Sequence, residues 1–520
     1  MSLFRNFVSV GSLTLVSRLA GFVRDALMAA VLGTGPAADA FFAAFRFPNL
    51  FRRLFAEGAF NTAFVPMFSG ALEKDGEEGA KLLAARIMSW LVAALVVVTI
   101  LVEIFMPQIM VAFVPGFVDD REKFDLTVLL TRIMFPYLAC MSLMAAYGAM
   151  LNTLGKFFAA AFAPVLLNLV NIAMLIPLAT FWLQSPEDAT VWVAIATMGG
   201  GLAQLALVWA AIERTGFRPR LSLPRLDPEV RRFWVLAVPA ILAGGITQIN
   251  IFVGTIIASG ADNAISVLSY ADRLYQLPLG IIGIAIGTVL LPELSRHLKG
   301  GREVEARQSQ DQALFVAMLL TMPAAFALAA LAEPIVRVLF ERGAFTALAT
   351  TQTAQALIAF AAGLPAFVLI RVLQPGFFAR EDTLTPTLFA GLSVVANIAI
   401  SLWLFPSLLH VGIAIATSAS AWLNVILLAT LLALRGHFRL TGSQWRGQLA
   451  IGLTSLIMGA SLWILADQGR HLLASGAPFW QQAGVLAMLI GFGIAVYFTL
   501  VHVSGTQRLG QLLRRLRRRA

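Results

Sequence analysis

Residues 17–66 read SRLAGFVRDALMAAVLGTGPAADAFFAAFRFPNLFRRLFAEGAFNTAFVP, and this stretch decides the fold because it places charges inside two otherwise apolar segments. A charge at the centre of a bilayer costs roughly 3 kcal/mol or more, so such side chains face a partner or a water-filled cavity. We therefore expect a membrane protein with a polar cavity for an anionic substrate. The charged residues of the stretch are Arg18, Arg24, Asp25, Asp39, Arg46, Arg52, Arg53 and Glu57.

The composition of the whole chain agrees with this interpretation. Of its 520 residues, 59% are hydrophobic and 13% are charged, and the mean hydropathy is +0.82. These values lie far outside those of soluble domains and indicate a polytopic membrane protein. The single cysteine, Cys140, excludes an internal disulfide and a cysteine metal cluster. Arg18 and Arg24 interrupt the first apolar stretch, so we expect a retained first helix instead of a signal peptide.

Apolar stretches of roughly 20 residues or more are long enough to span a bilayer, and they predict an all-α fold with about fourteen transmembrane helices. The stretches lie at residues 6–33, 38–69, 87–114, 126–153, 160–183, 189–212, 233–259, 263–295, 312–340, 350–375, 385–404, 409–434, 447–466 and 480–502.

The distribution of basic residues predicts the orientation. Most lysines and arginines lie in connections on one side, whereas the other side holds only Arg121, Lys123, Arg342 and Arg470. The positive-inside rule therefore places both termini in the cytoplasm, as an even number of helices requires. The arginine-rich segment 508–519 follows the last helix, so we interpret it as a topology anchor for anionic lipid headgroups and expect no nucleic-acid binding.

The two halves of the chain repeat. Landmarks recur in order at an offset of 225–227 residues: Gly35 and Gly260, Pro66 and Pro292, Pro107 and Pro334, Gly116 and Gly343, and Asn171 and Asn397. Six helices in each half keep the copies in one orientation, which is typical of transporters whose halves rock around a shared site. We predict an N-lobe at 1–213, a cytoplasmic linker at 214–232, a C-lobe at 233–435, helices 13 and 14 at 436–503 and a basic cytoplasmic tail at 504–520.

The first predicted helix has one charged side. Arg18 and Asp25 are seven residues apart and nearly aligned, with Arg24 on the adjoining face. Guanidinium groups bind phosphate through two parallel hydrogen bonds, so these arginines are candidate substrate ligands. The alternative is that the charges only pair with one another to hold helices together. Because five arginines oppose three acidic residues in this stretch, local pairing cannot neutralise them all, and we favour substrate contact.

The second predicted helix carries Arg53 and Glu57 at the i,i+4 spacing of an ion pair, which we interpret as structural. Arg52 points to another face of this helix unless Pro48 bends it. In these two helices we assign substrate binding to Arg18, Arg24, Asn49 and Arg52, and gating or structural charge pairing to Asp25, Asp39, Arg53 and Glu57.

The matching region of the second half is SYADRLYQLPLG, residues 269–280. It supplies Arg273, and Ser266 lies seven residues earlier on the same helix face. We assign both residues to the substrate site. Arg371 is isolated in an apolar stretch close to Gln374 and Pro375, and the sequence leaves open whether it reaches the cavity.

The sequence contains no motif of a nucleotide or metal site. Gly280, Gly283 and Gly287 have no accompanying strand or phosphate-binding lysine and indicate close helix packing. Walker and HExxH sequences are absent, and the five histidines occur singly. We therefore expect no cofactor and no metal, with the membrane potential, worth about 2.3 kcal/mol per charge per 100 mV, as the driving force.

The stretch at 17–66 resembles the N-terminal signature of the MurJ (MviN) family, and SYADRLYQLPLG resembles its second-half counterpart. The resemblance covers the whole chain in length, helix count and helix order. It implies the fold of the multidrug/oligosaccharidyl-lipid/polysaccharide exporter superfamily, with two six-helix lobes around a central cavity. It also implies that lipid II, the undecaprenyl-diphosphate-linked peptidoglycan precursor, is moved from the inner to the outer leaflet of the bacterial cytoplasmic membrane.

The same resemblance implies roles for individual positions. Helices 13 and 14 would line a groove for the lipid tail. Some members are thought to bind sodium in the second lobe through an Asn and carboxylates on helix 11. Here Asn397 is present, but Ser401 stands four residues after it and helices 11 and 12 contain no Asp or Glu, so we do not expect sodium coupling. We expect a monomer whose partners are lipid II and membrane lipids. The implied cavity residues are Arg18, Arg24, Asp39, Arg52, Glu57, Ser266 and Arg273.

Other functions compete with this one. An exporter of another lipid-linked oligosaccharide would need the same diphosphate chemistry and stays open. An exporter of drug-like cations would line its cavity with carboxylates, so the excess of arginine counts against it. A membrane-embedded glycosyltransferase would need a catalytic carboxylate near a large outer loop, whereas the outer connections here are short and their acidic residues, at 119–125, are typical of a solvated face.

Overall fold

The computed structural model describes residues 2–52, 60–180, 185–217, 219, 222–438 and 441–504. Within these residues the regular structure is helical, with 3-10 geometry at Pro115–Phe117. The first ten α-helices are α1 (Ser2–Leu32), α2 (Pro36–Arg52), α3 (Phe60–Lys74), α4 (Gly76–Ile104), α5 (Met106–Phe113), α6 (Arg121–Met134), α7 (Tyr137–Thr153), α8 (Phe158–Thr180), α9 (Pro186–Arg214) and α10 (Pro228–Ser259). The others are α11 (Ala264–Lys299), α12 (Glu303–Ala330), α13 (Ala332–Phe340), α14 (Ala347–Phe378), α15 (Leu384–Leu434), α16 (Gly442–Gln468) and α17 (Phe479–Val503).

Among the described residues each predicted apolar stretch lies in helix, and the differences from the prediction concern where the helices begin and end. The stretches 87–114 and 312–340 each divide into a long helix followed by a short one, α4 with α5 and α12 with α13. Both short helices carry a proline near their start, Pro107 and Pro334, where the missing N–H is tolerated. The stretches 385–404 and 409–434 both lie in α15, which consists of two helices that meet at a kink at Leu409, where φ is 48° and ψ is −128°.

Helix length and composition identify candidate membrane crossings. Nine segments of the described residues are long and apolar enough to cross a membrane. The charged helices α1 and α2 are not among them, although the sequence predicts crossings there. The all-α polytopic fold is therefore confirmed, while the count of fourteen stays a prediction.

The chain packs into two compact units, which we call unit 1 and unit 2. Unit 1 comprises Met1–Ser266 with Arg342–Phe345, and unit 2 comprises Val267–Glu341 with Thr346–Ala520. Helix α10 therefore packs within unit 1, although the repeat assigns it to the second half of the sequence. The predicted lobes, linker and tail stay a prediction, because they follow the repeat and the units follow packing.

The core of unit 1 is built from aromatic and small side chains of α3, α4, α7 and α9. Phe64 and Phe68 are fully buried there and stack with ring centroids 5.4 Å apart. Phe217 contacts Phe68 edge-on at 5.4 Å, so the start of the predicted linker is part of this core. In a membrane protein such rings stabilise helix contacts mainly through van der Waals packing, because lipid tails are as apolar as the side chains.

Two apolar clusters form the core of unit 2. One joins α11, α12, α14 and α15 through residues such as Leu290, Val368 and Leu428. The other packs α16 and α17 on α12, and there the Tyr497 hydroxyl donates to the Leu319 carbonyl at 2.7 Å. The two helices that the sequence places outside the repeat are therefore integral to the packing of unit 2.

The connection before α10 is fastened to α4. Arg86 on α4 contacts Asp227 at 3.1 Å and Glu229 at 2.9 Å. One turn along α4, the Trp90 indole N–H donates to the Arg225 carbonyl at 2.9 Å. The described part of the predicted linker is therefore bound to α4, and the helix that follows it begins at Pro228.

Glycines of the repeat make matching contacts inside unit 1. Gly116, after α5, lies against the end of α10, where a Cβ would be 2.2 Å from the Ser259 carbonyl oxygen. Gly343, after α13, lies against the end of α1, where a Cβ would be 2.2 Å from the Ala30 carbonyl oxygen. Each half of the sequence thus places a glycine on the first helix of the other half, which explains why these landmarks recur.

Candidate substrate site and its charge networks

Helix α1 holds Arg24 in a network of fixed geometry. The Arg24 guanidinium donates to Asp25 Oδ1 at 2.7 Å and 3.1 Å and to Asn168 Oδ1 at 3.0 Å. The Asn168 amide in turn donates to the Ser17 carbonyl at 3.0 Å. The Arg24 and Asp25 side chains are 12% and 13% exposed, so this is a largely buried pair with an accessible edge.

Asn168 is a site residue that the sequence analysis missed. It lies on α8, among apolar residues, where a buried amide needs a partner. A polar residue in the middle of an apolar helix was the available signal, but its partner lies 144 positions away along the chain.

Arg18 differs from Arg24. It is half-buried, and within the described residues its side chain makes no hydrogen bond or ion pair. An arginine in this state keeps all five N–H donors for a ligand. Of the two predicted arginines on α1, one is therefore held by protein groups and the other is open to an anion.

The end of α2 positions a second arginine. Arg52 Nε donates to Asn49 Oδ1 at 3.0 Å, and the Asn49 amide donates to the Phe45 carbonyl at 2.7 Å. Three residues before Asn49, the Arg46 guanidinium donates to the Thr255 hydroxyl of α10 at 3.3 Å. Arg52 and Asn49 are thus together, as the assignment of both to one site requires. The predicted pair of Arg53 and Glu57 lies outside the described residues.

Asp39 is fully buried and accepts three hydrogen bonds. Lys123 Nζ donates to Oδ2 at 3.0 Å, and the Ser266 backbone N–H and hydroxyl donate to Oδ1 at 2.8 Å and 2.7 Å. The Lys123 ammonium also lies 4.0 Å from the centre of the Phe117 ring, a cation–π contact. Asp39 therefore joins α2, α6 and the first turn of α11.

The acidic residues at 119–125 are exposed, as the sequence predicts, but Lys123 between them is buried, with a side chain that is 4% exposed. Helix α6 begins at Arg121 with Asp120 as its cap, so Lys123 lies in the first turn and faces Asp39. Thr127 and Thr131 follow at four-residue intervals and are also buried. That polar stripe was the sequence signal for a buried face.

Ser266 and Arg273 are in different surroundings. Ser266 is fully buried because both of its donors bind Asp39, so in this structure it is not exposed to a ligand. Arg273 is exposed, one helical position after Asp272, which accepts a hydrogen bond from Gln276. Their assignment to substrate binding stays a prediction for both residues.

The described residues contain no group of three or more His, Cys, Asp and Glu side chains that could hold a metal ion. The position that resembles a sodium ligand, Asn397, accepts a contact from the Ser401 hydroxyl at 3.5 Å. Both side chains are buried in α15. The absence of sodium coupling stays a prediction.

A model of the family described as Lipid II flippase MurJ matches residues 28–473. The chain belongs to this family. A probable lipid II flippase MurJ of Rhizobium tropici is 47% identical over 521 residues, covering 100% of this chain and 97% of that protein. The lipid II flippase MurJ of Burkholderia cenocepacia is 34% identical, covering 97% of this chain and 98% of its own length.

Solved structures agree with this family. A lipid II flippase MurJ in an inward closed conformation matches with a TM-score of 0.79 and 27% identity, covering 95% of this chain and 98% of that one. An inward-facing multidrug resistance MATE family transporter of the MOP superfamily has a TM-score of 0.66 at 15% identity, over 82% of this chain, and shares the fold. The predicted family is therefore confirmed, and it is a family of transporters, not of enzymes.

Proposed function

We propose that this chain flips lipid II across the bacterial cytoplasmic membrane, with arginines binding the diphosphate. The observation that carries the proposal is the arrangement on α1. Arg24 is fixed by Asp25 and Asn168, while Arg18 is open. A fixed and an open guanidinium on one apolar helix suit an anion that must be bound and then released. The family of the chain supplies the identity of that anion.

The proposed cycle is alternating access. Arg18, Arg24, Arg52 and Arg273 bind the headgroup from the inner leaflet, and rocking of the two repeats then exposes it to the outer leaflet. The lipid tail stays in the membrane along α16 and α17. The membrane potential drives the movement of charge without a cofactor or sodium, both termini face the cytoplasm, and the protein acts as a monomer. In this way the chain serves peptidoglycan synthesis and cell shape.

A replacement experiment tests this function. In cells depleted of their own flippase, the parent chain is expected to restore growth and the exposure of lipid II in the outer leaflet. Arg24→Ala and Arg273→Ala are expected to fail at normal protein levels. Arg132→Ala, which removes an exposed arginine of α6, is the control and is expected to work. Unchanged lipid II exposure with the parent chain would rule out the proposal.

A second candidate is export of another undecaprenyl-diphosphate-linked oligosaccharide. It is favoured by the same observation, because the arginines recognise the diphosphate and not the sugar. Competition distinguishes the two: lipid II is expected to displace a labelled undecaprenyl-diphosphate oligosaccharide that lacks the peptide. If the labelled oligosaccharide binds more tightly than lipid II, the second candidate is preferred.

A further inference from the structure

Helix α14 carries an exposed arginine that the site described above does not use. In its apolar 18-residue window 72% of the residues are buried, the highest value among the nine candidate spans of the described residues. Beyond Pro365, however, one face of α14 is open, and Arg371 is its exposed charged residue. Arg371 lies seven residues, about 10 Å, before the end of the helix. A guanidinium at this depth belongs beside water or a polar ligand and not beside lipid tails.

The side chain of Arg371 is held in a notch on α11. A Cβ at Gly283 would lie 2.7 Å from Arg371 Cδ and 3.1 Å from Nε. The arginine therefore crosses α11 at Gly283, where glycine has no side chain to block it. Gly283 has ordinary helical backbone geometry, so close approach, and not a special φ, is what requires glycine here. The notch fixes the stem of Arg371 before any ligand arrives.

The head of Arg371 remains available. Within the described residues Arg371 makes no hydrogen bond and no ion pair. On α11, Gly283 lies ten residues and about 15 Å after Arg273, with a rotation of about 80° between them. Unit 2 therefore presents two exposed arginines along one side of α11, one carried by that helix and one laid across it.

We infer that Arg371, seated in the notch at Gly283, is a second arginine of unit 2 that binds an anionic group of the lipid-linked substrate. The inference rests on the proposed function. The chemistry it recognises is a pair of anionic oxygens, which a diphosphate and a peptide carboxylate both offer.

Binding measurements on the purified full-length protein test the inference. The probes are lipid II and undecaprenyl diphosphate, which lacks both sugar and peptide. Arg371→Gln is expected to weaken lipid II binding roughly tenfold to a hundredfold. Loss for both probes assigns Arg371 to the diphosphate, and loss for lipid II alone assigns it to the peptide. Arg371→Lys keeps the charge but not the planar pair of donors, so it is not expected to restore affinity.

The notch provides an internal check. Gly283→Ala is expected to displace the flexible arginine stem and to weaken binding in the parent, but to have no further effect in Arg371→Gln, because the two changes act through one side chain. Gly287→Ala is the matched control, since a Cβ there would meet no atom within 4 Å. The thermal midpoints of all variants are measured in parallel, so that loss of fold is recognised.

Two results would overturn the inference. One is parental affinity of Arg371→Gln for both probes; the other is an equal effect of Gly283→Ala with and without Arg371. In either case the proposed function stands as long as the parent binds lipid II. If the parent binds neither probe, the proposed function fails and the role of Arg371 fails with it.

Discussion

At the scale of single residues, the chain satisfies its buried charges by two different arrangements. Asp39 is fully buried beneath three donors, so it is not accessible to a ligand in this structure. Arg24 is held at three bonds by Asp25 and Asn168. The hydrogen bonds of Asp39 hold neighbouring helices together. Those of Arg24 orient its guanidinium and leave one edge of it accessible. Charges in one short stretch of sequence thus divide into fully buried ones and ones that keep an accessible edge.

Asn168→Ala is expected to weaken lipid II binding, because it removes an amide that orients Arg24. Hydrogen bonds to charged groups contribute about 1.5–3 kcal/mol, which corresponds to roughly tenfold or more in affinity. Asn171→Ala is the matched control on the same helix, since its amide bonds Leu167 and Thr197 and no arginine. Equal affinities of the two variants in a direct binding assay would contradict the orienting role.

Lys123→Met is expected to destabilise the protein by about 3–5 kcal/mol, because it leaves the Asp39 carboxylate buried without its cation. Asp39→Asn alone is expected to destabilise the protein for the same reason, because it leaves the Lys123 ammonium buried without its anion. The double variant is expected to recover part of the loss, since neither charge then remains. Thermal unfolding of the purified protein measures all three. Losses that simply add would show that the two side chains act independently.

At the scale of helices, polar contacts hold the connection between α16 and α17 against the rest of unit 2. Glu341, between α13 and α14, accepts hydrogen bonds from Thr350 at 2.6 Å, from Arg337 at 3.2 Å and from Ser475. Ser475 lies in the connection between α16 and α17. Burial raises the pKa of Glu341, but the hydrogen bonds from Ser475 and Thr350 and the charge of Arg337 outweigh it and lower the pKa below 4.5.

The stability contributed by Glu341 is therefore expected to depend on pH. A carboxylate with a lowered pKa stabilises the fold above its usual value of 4.5 and loses this effect as the pH falls through the lower, folded-state value. Glu341→Gln is expected to be less stable than the parent by about 1–3 kcal/mol at pH 7. The difference should shrink below pH 4.5. A difference that stays constant down to pH 3 in thermal unfolding would contradict this assignment.

At the scale of the whole molecule, the internal repeat is the organising feature. It is visible in the sequence as spaced landmarks and in the structure as the paired breaks before α5 and α13. The reciprocal contacts of Gly116 and Gly343 show what these landmarks do. They let a turn of each half approach the backbone at the end of the other half's first helix.

Gly116→Ala and Gly343→Ala are both expected to destabilise the protein, by about 1–3 kcal/mol for the forced displacement of backbone. Gly343→Ala should cost more, because its φ of +56° is also unfavourable for alanine. Gly35→Ala is the control, since a Cβ at this repeat landmark meets nothing within 4 Å. Thermal unfolding of the three variants checks the order. Parental stability of Gly116→Ala would show that the close approach is not needed.

The sequence by itself determined the helices and the class of ligand. Apolar runs long enough to cross a membrane have few alternatives to helix, because lipid offers no partner for backbone groups. An excess of arginine over acidic residues in such runs indicates an anion, whatever the tertiary structure.

Only the tertiary structure decided which charged side chains are bound by other groups of the protein. Lys123 and Asp39 are 84 residues apart, and Arg24 and Asn168 are 144 apart, so no local pattern links them. Likewise, the notch at Gly283 acquires meaning only when Arg371 of another helix lies across it. Hydropathy is a property of neighbouring residues along the chain, whereas a hydrogen bond depends on which distant atoms the fold brings within about 3 Å. That distance separates charges held by protein groups, such as Asp39, from charges such as Arg18 that we propose bind the substrate.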